Sequence, residues 1–421
     1  MTIDAEFSSS SEVLDAYIAR SWRSNAERQR AKGAEFVIGR REGVYMWDLE
    51  GKHRLIDCGI GGGVHSLGHR HPAVVAALRQ ALDDGRDTGL WSVPNVPYLR
   101  LQDRLAELSP SPDLTHSVVT LCSTLSIDVA TMFAFRVTGR SKILSYRHGY
   151  HGHSGFAAMI TGSADEGVID HYNLPGANTT FFETYGDLDE IAEKMTPDVA
   201  AIIFEPMDYE TFTFASRAFL DGVTRLCRAR GTLFIIDETR TGIGRTGKLW
   251  ASEHYDLRPD ILITGKGLSG GLYPVSALLM RGPIYETCMN QHKFSYISSL
   301  GGNEISCLVA LAVLEVASQP AMLAHVNAVS AHLAAAFARV GHNHPDIIGP
   351  VTALGCVHSV AVRNRTLARQ LYANLYRHGV LCHSVSEIEP PSLKFFTPIT
   401  ISEAECDEIV AALRGAIGDL D

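Results

Sequence analysis

The chain has 421 residues, 46% of them hydrophobic, and a formal net charge of −10 at pH 7 with acidic and basic residues interspersed. That length exceeds one ordinary domain and supports a large core. The charge balance argues against nucleic acid as a partner and mildly favours cationic small molecules, with solubility the plainer account of the total. Eight cysteines without a Cys-x-x-Cys spacing speak against a zinc site or disulfide framework and read as buried thiols in a reducing cytoplasm. Residues 1–11 are acidic and polar where a secretory leader is basic and then apolar. No run approaches the roughly 18 uninterrupted apolar residues of a membrane span. A cytoplasmic protein without a membrane segment is the expectation.

In chain order, the serine-rich start at Ser9 followed by Glu12-Val-Leu-Asp-Ala-Tyr predicts a capped helix within an N-terminal arm. Gly59 to Gly63 interrupts a strand-like segment, and residues 72–82 show helical spacing. Strand-like runs at 118–121, 142–145, 200–204, 232–236 and 261–264 then alternate with helical patterns, one of them at 129–137. Such alternation implies an α/β unit with a mostly parallel sheet and helices on both faces. A helix at 304–315 leads to Pro320, an alanine-rich stretch at 330–339 and a smaller α+β portion. The expected division is an N-terminal arm and segment at 1–70, a large domain at 71–315 and a small C-terminal domain at 316–421.

Two strand ends carry the chemistry. The run Ile261-Leu-Ile-Thr-Gly-Lys266-Gly ends in a lysine flanked by glycines, and Leu233-Phe-Ile-Ile-Asp237-Glu238 ends in carboxylates. A lysine that forms a Schiff base and an aspartate that pairs with a pyridinium nitrogen are what pyridoxal phosphate (PLP) asks of a protein. The plainer readings, a helix-capping aspartate and a solvated turn lysine, stand beside this one. Ser123 and Thr124, between the 118–121 run and the following helix, are placed to clamp a phosphate at a helix N-terminus, or simply to cap that helix. The histidine-rich run His148-Gly-Tyr-His-Gly-His153 lacks the acidic or cysteine partners of a metal site, and none is expected.

The segments Asp237-Glu-Thr-Arg-Thr-Gly-Ile-Gly-Arg-Thr-Gly247, Lys266-Gly-Leu-Ser-Gly-Gly271 and Gly301-Gly-Asn303 closely resemble the class III aminotransferase family of fold-type I PLP enzymes. So do Leu67-Gly-His-Arg-His-Pro72, Tyr150-His-Gly152 and Glu205-Pro206, and the likeness runs along nearly the whole chain. The resemblance implies a large domain on a seven-stranded sheet and a small C-terminal domain. It implies Lys266 as the Schiff-base lysine, Asp237 at the pyridine nitrogen, Tyr150 stacked on the ring and Arg240 near its hydroxyl. Ser299 matches a threonine that reaches a phosphate across a homodimer with shared active sites. The chain departs from the family at Cys122-Ser-Thr-Leu-Ser-Ile-Asp128, which lacks the usual glycine and first glutamate, with Asp128 on the second acidic position.

PLP chemistry admits transamination, epimerisation and amino migration on one scaffold. Many relatives bind a carboxylate through an arginine where this chain has Lys394, a poorer fork. Glu210 matches an acidic gate that pairs with that arginine; Glu210 and Lys394 are expected either to pair or to lie on the surface. The missing arginine points to an aminotransferase acting on a primary amine of a non-amino-acid substrate, such as an aminosugar or aminoglycoside intermediate. The alternatives are an epimerase or aminomutase on the same substrate type and, from another class, a binding module without catalysis.

Overall fold

The computed structural model describes residues 7, 9–31, 35–89, 92–162, 178–208, 210–291, 296–386 and 388–420. The first six residues, on which the leader expectation chiefly rests, lie outside the described residues. The chain divides into two compact units, one of residues 63–66 and 72–326, the other of 1–62, 67–71 and 327–421. This differs from the division expected at 70 and 315. The N-terminal segment shares a unit with the C-terminal residues because the strand Arg54–Cys58 pairs in parallel with Val380–Cys382, Ile56 opposite Val380 and Cys58 opposite Cys382.

The larger unit is built on a seven-stranded sheet in the order His116–Thr120, Ser276–Met280, Ile261–Thr264, Leu233–Asp237, Val199–Phe204, Lys142–Tyr146, Thr179–Phe182. Every neighbouring pair is parallel except those of Ser276–Met280, which runs antiparallel to both flanks. The run Val-Ala-Ala-Ile-Ile-Phe of Val199–Phe204 is buried at every position, as a strand covered on both faces requires. Ile203, Ile235, Ile263 and Leu278 from the sheet join Ala130, Phe133 and Ala134 from a helix in one core cluster. Each fully buried aliphatic or aromatic side chain there contributes about 1.5–3 kcal/mol. Asp237 lies opposite Ile263 in the ladder, so two adjacent parallel strands deliver Asp237 and Lys266 to the same edge.

The helix expected at 129–137 runs Ser123–Thr138 and stops at Gly139, whose φ of 68° lets its N–H return to Phe135 O. Its N-cap is Cys122, which makes no side-chain cap bond. Ser123 and Thr124 are therefore first-turn residues, and the simple capping reading does not hold. Cys122 is also exposed while the other seven cysteines are buried, a departure from the buried-thiol expectation.

In the smaller unit, Ile348–Leu354, Val357–Val362, Ser392–Phe396 and Ser384–Ser386 form an antiparallel sheet. Ser9 Oγ accepts from Glu12 N at 3.2 Å to cap the helix Ser10–Arg20. The helix Pro320–Asn343 is long and apolar enough by composition to cross a membrane. Its Val326, Val329, Leu333, Phe337 and Val340, each at most 2% exposed, form one stripe at helical spacing, the pattern of a helix packed on a core.

Candidate active site

Lys266 follows the strand Ile261–Thr264 by one glycine and opens the single turn Lys266–Ser269. Its φ is +36°, a left-handed conformation that costs a non-glycine residue roughly 1–3 kcal/mol and persists only where the surroundings impose it. A Cβ at Gly265 would lie 2.9 Å from Ser276 Oγ and 3.1 Å from Ser123 Cβ, so glycine is required there. Burial lowers the Lys266 amine to about 7, the Arg240 cation adds to this, and the Glu205 and Asp237 carboxylates oppose it. A large fraction is thus the free-base nucleophile at neutral pH.

Asp237 is 3% exposed, and its Oδ2 lies 2.8 Å from His151 Nδ1 while Oδ1 accepts from Thr239 N at 3.0 Å. Burial by itself raises this carboxyl, but the hydrogen bond and charge of His151, helped by Thr239, outweigh it and hold the group below the usual carboxylate range. The helix-cap alternative fails, because Asp237 ends a strand and bonds a side chain far off in sequence. Its neighbour Glu238 is fully buried and accepts from Ala251 N at 2.6 Å and Ser252 N at 2.8 Å, with burial raising its carboxyl to about 7. It closes the 239–250 loop instead of facing the lysine's chemistry.

Tyr150 is partly exposed and not a core tyrosine. Its ring centroid lies 4.6 Å from Arg240 Cζ and 5.8 Å from Lys266 Nζ. Glu205 fixes this arrangement, accepting from Tyr150 N at 2.9 Å and lying 3.3 Å from Arg240 Nη1. Burial raises the Glu205 carboxyl even against the Arg240 charge. The first backbone bond of the Ser123–Thr138 helix runs from Ser126 N to Cys122 O at 3.1 Å, so the preceding amides point out of the helix end toward any anion placed there. The loop carrying Tyr150 packs on this helix start, since a Cβ at Gly152, where φ is +135°, would run into the Thr124 side chain. Asp128 does not join the cluster. Its Oδ1 accepts from Ala157 N at 2.8 Å and braces the start of Gly155–Ile160.

Ser299 is exposed and lines a surface cavity with Arg86, Gly89, Asn95 and Gly302. Glu210, in the larger unit, is half-buried and donates its N–H to Asp208 Oδ1 at 2.9 Å. Lys394, in the smaller unit, is 1% exposed in the middle of Ser392–Phe396, so the surface reading does not hold for it. Among the described residues no group of three or more His, Cys, Asp or Glu is arranged to hold a metal ion. Sequence alone gives His151 and Glu205 no role, and the signal for both lies in the segments Tyr150-His-Gly152 and Glu205-Pro206.

A lysine whose amine is lowered by burial and a buried aspartate at adjacent strand ends are the pair of protein groups that a pyridoxal-type cofactor requires. The model of the family described as Aminotransferase class-III matches residues 27–417. An uncharacterized aminotransferase of Archaeoglobus fulgidus is 33% identical over 96% of this chain and 94% of its own length. The acetylornithine aminotransferase of Pseudomonas putida is 29% identical over 92% and 94%. An (S)-enantioselective omega-transaminase structure from Thermomicrobium roseum superposes with a TM-score of 0.84 at 25% identity, covering 99% of this chain and all of that one. The chain belongs to the class III aminotransferase family and is a PLP-dependent transferase. The residues present fit that cofactor: the lowered amine of Lys266, the ionised Asp237, the aromatic face of Tyr150 and the open amides at Ser123 and Thr124. Bound there, PLP supplies an electron sink for the carbanion left when a proton leaves the amine-bearing carbon.

Proposed function

We propose that Lys266 would hold PLP through its side-chain amine and would move the proton at the amine-bearing carbon of the substrate. Asp237, held ionised by His151, keeps a proton on the ring nitrogen. Tyr150 would cover one ring face, Arg240 would face the ring hydroxyl, and Ser123 and Thr124 would hold the phosphate. The observation that carries this reading is the placement of Lys266 just past the end of Ile261–Thr264, the strand paired with that of the Asp237–His151 pair, where burial lowers its amine to about 7. Ser299 reaches the phosphate of a second copy, making a homodimer the working unit. In support, Val93, Val96, Ile297 and Leu300, near Ser299 in sequence or cavity, are 41–62% exposed, an apolar surface suited to an isologous partner.

The substrate in this reading is a primary amine without an α-carboxylate, such as an aminosugar or aminoglycoside intermediate, supported by a buried lysine at 394 in place of an arginine fork. The Pseudomonas putida relative, named for acetylornithine, favours a second reading, the terminal amine of an acylated diamino acid. The test is to mix the PLP-loaded protein with candidate amines and follow the cofactor spectrum. Conversion to the pyridoxamine form with the aminosugar amine supports the first reading, and conversion only with acetylornithine supports the second. Exchange of the carbon-bound proton without conversion identifies an epimerase or aminomutase.

A further inference from the structure

Beneath Lys266 lies a set of buried hydroxyls that the chemistry above does not use. Thr120, Ser126 and Ser276 are each at most 1% exposed, and they come from the strand His116–Thr120, the first turn of the Ser123–Thr138 helix and the strand Ser276–Met280. Thr120 Oγ1 lies 2.7 Å from Ser126 Oγ, and Ser126 Oγ lies 2.9 Å from Ser276 Oγ. Ser276 Oγ donates to Thr264 O, and Thr120 Oγ1 is also 3.1 Å from Cys122 O. A carbonyl only accepts, so the Ser276 proton is committed to Thr264. Ser276 must then accept from Ser126, while the single Thr120 proton lies between Cys122 O and Ser126 Oγ. The fixed order runs Ser126 to Ser276 to the Thr264 carbonyl, in which each bond polarises the next.

The end of that chain matters because Thr264 is the last strand residue before Gly265 and Lys266. Lys266 sits at φ +36°, and Gly265 is packed between Ser276 Oγ and Ser123 Cβ. The Gly265 carbonyl, immediately before the lysine, accepts from Leu268 N at 2.9 Å, and the Thr264 carbonyl, one residue earlier, accepts from Ser276 Oγ, so both peptide groups leading into the strained lysine are held. We propose that Ser126 and Ser276 are positioning residues which, through the Thr264 carbonyl, tie the aim of Lys266 to the first turn of the phosphate-side helix. This rests on the assignment of Lys266 as the amine that condenses with the cofactor.

The experiment compares binding of PLP with binding of pyridoxamine 5′-phosphate, which offers the same ring and phosphate but no aldehyde, to the full-length apoprotein by absorbance and fluorescence. In Ser276→Ala and Ser126→Ala, PLP should bind about tenfold more weakly while the aldehyde-free analogue stays within about twofold, since only the lysine's reach is lost. The double variant should lose little more than either single, as members of one chain do. Equal weakening of both ligands means the serines merely brace the phosphate end, and unchanged PLP binding means they do not position the lysine; either overturns the proposal. Should Ser276→Ala fail to fold by thermal unfolding of the apoprotein, Ser126→Ala decides alone. Lys266→Ala separates the underlying assignment: if it still favours PLP over the analogue as the unmodified protein does, Lys266 is not the condensing amine, whatever the serines do.

Discussion

Replacing His151 with leucine tests the electrostatics of the site most directly. His151 Nδ1 and Asp237 Oδ2 are 2.8 Å apart with side chains only 1% and 2% exposed, so no water can take the lost donor's place without rearrangement. A hydrogen bond to a charged group contributes about 1.5–3 kcal/mol, and each factor of ten in rate corresponds to about 1.4 kcal/mol. The expected fall in kcat/KM for His151→Leu is therefore about 10- to 150-fold, with His151→Asn, which returns an N–H near the Nδ1 position, recovering most of it. The pH dependence follows from Asp237. Burial alone raises its carboxyl and His151 is the main group opposing that, so in the variant the pKa rises and the acid limb of the kcat/KM profile moves to higher pH. Stability has the matching sign. A carboxyl with a lowered folded-state pKa contributes stability that is present above its unfolded value, about 4, and is lost as pH falls through the folded value. The stability gap between unmodified protein and variant should narrow on acidification. An unchanged acid limb together with kcat/KM within about twofold would refute the reasoning.

Lys266→Ala should abolish the absorbance of lysine-bound cofactor and all turnover, checked by the spectrum of the loaded protein; retention of both would end the assignment. Lys394→Arg should improve 2-oxoglutarate as amino acceptor at the expense of the cationic amine, by at most the ~1.5–3 kcal/mol of an added charge-assisted bond, less any strain from enlarging a site that is 1% exposed. Efficient turnover of glutamate and 2-oxoglutarate by the unmodified enzyme would remove the basis of the aminosugar substrate.

The strand ends were legible because a strand buried on both faces leaves an unbroken apolar run, and the runs before Asp237 and Lys266 stop at the residues that matter. The start of the Ser123–Thr138 helix was hidden. In its first turn, Ser-Thr-Leu-Ser, Ser126 turns inward to bond Thr120 and Ser276 on two strands, which no apolar period records. His151 was legible as a residue but not as a partner, because its bond to Asp237 spans 86 positions and a local reading tests such a histidine only against its neighbours. The burial of Lys394 follows from flanking Leu393 and Phe395, both fully buried, a signal outweighed by the habit of placing lysines at the surface. The union of the chain's two ends in one unit left no local trace at all.

That union has a bearing on how the polypeptide emerges from the ribosome. Residues 72–326 contain nearly all of the larger unit in one stretch, so they can gather while synthesis continues. The strand Arg54–Cys58, made earlier, has one edge paired to Tyr45–Asp48, but its other edge waits for Val380–Cys382. Closing so long a loop costs little more in entropy than closing a shorter one, because the cost grows only with the logarithm of length; the burden is one of time. Until the last segment is released, Leu55, Ile56 and Cys58, buried in the finished protein, flank an open parallel edge of the kind other nascent chains can join. A chain cut short before residue 380 would keep that edge permanently, and its failure in the cell would be one of aggregation even with Lys266, Asp237 and Tyr150 of the larger unit already in place.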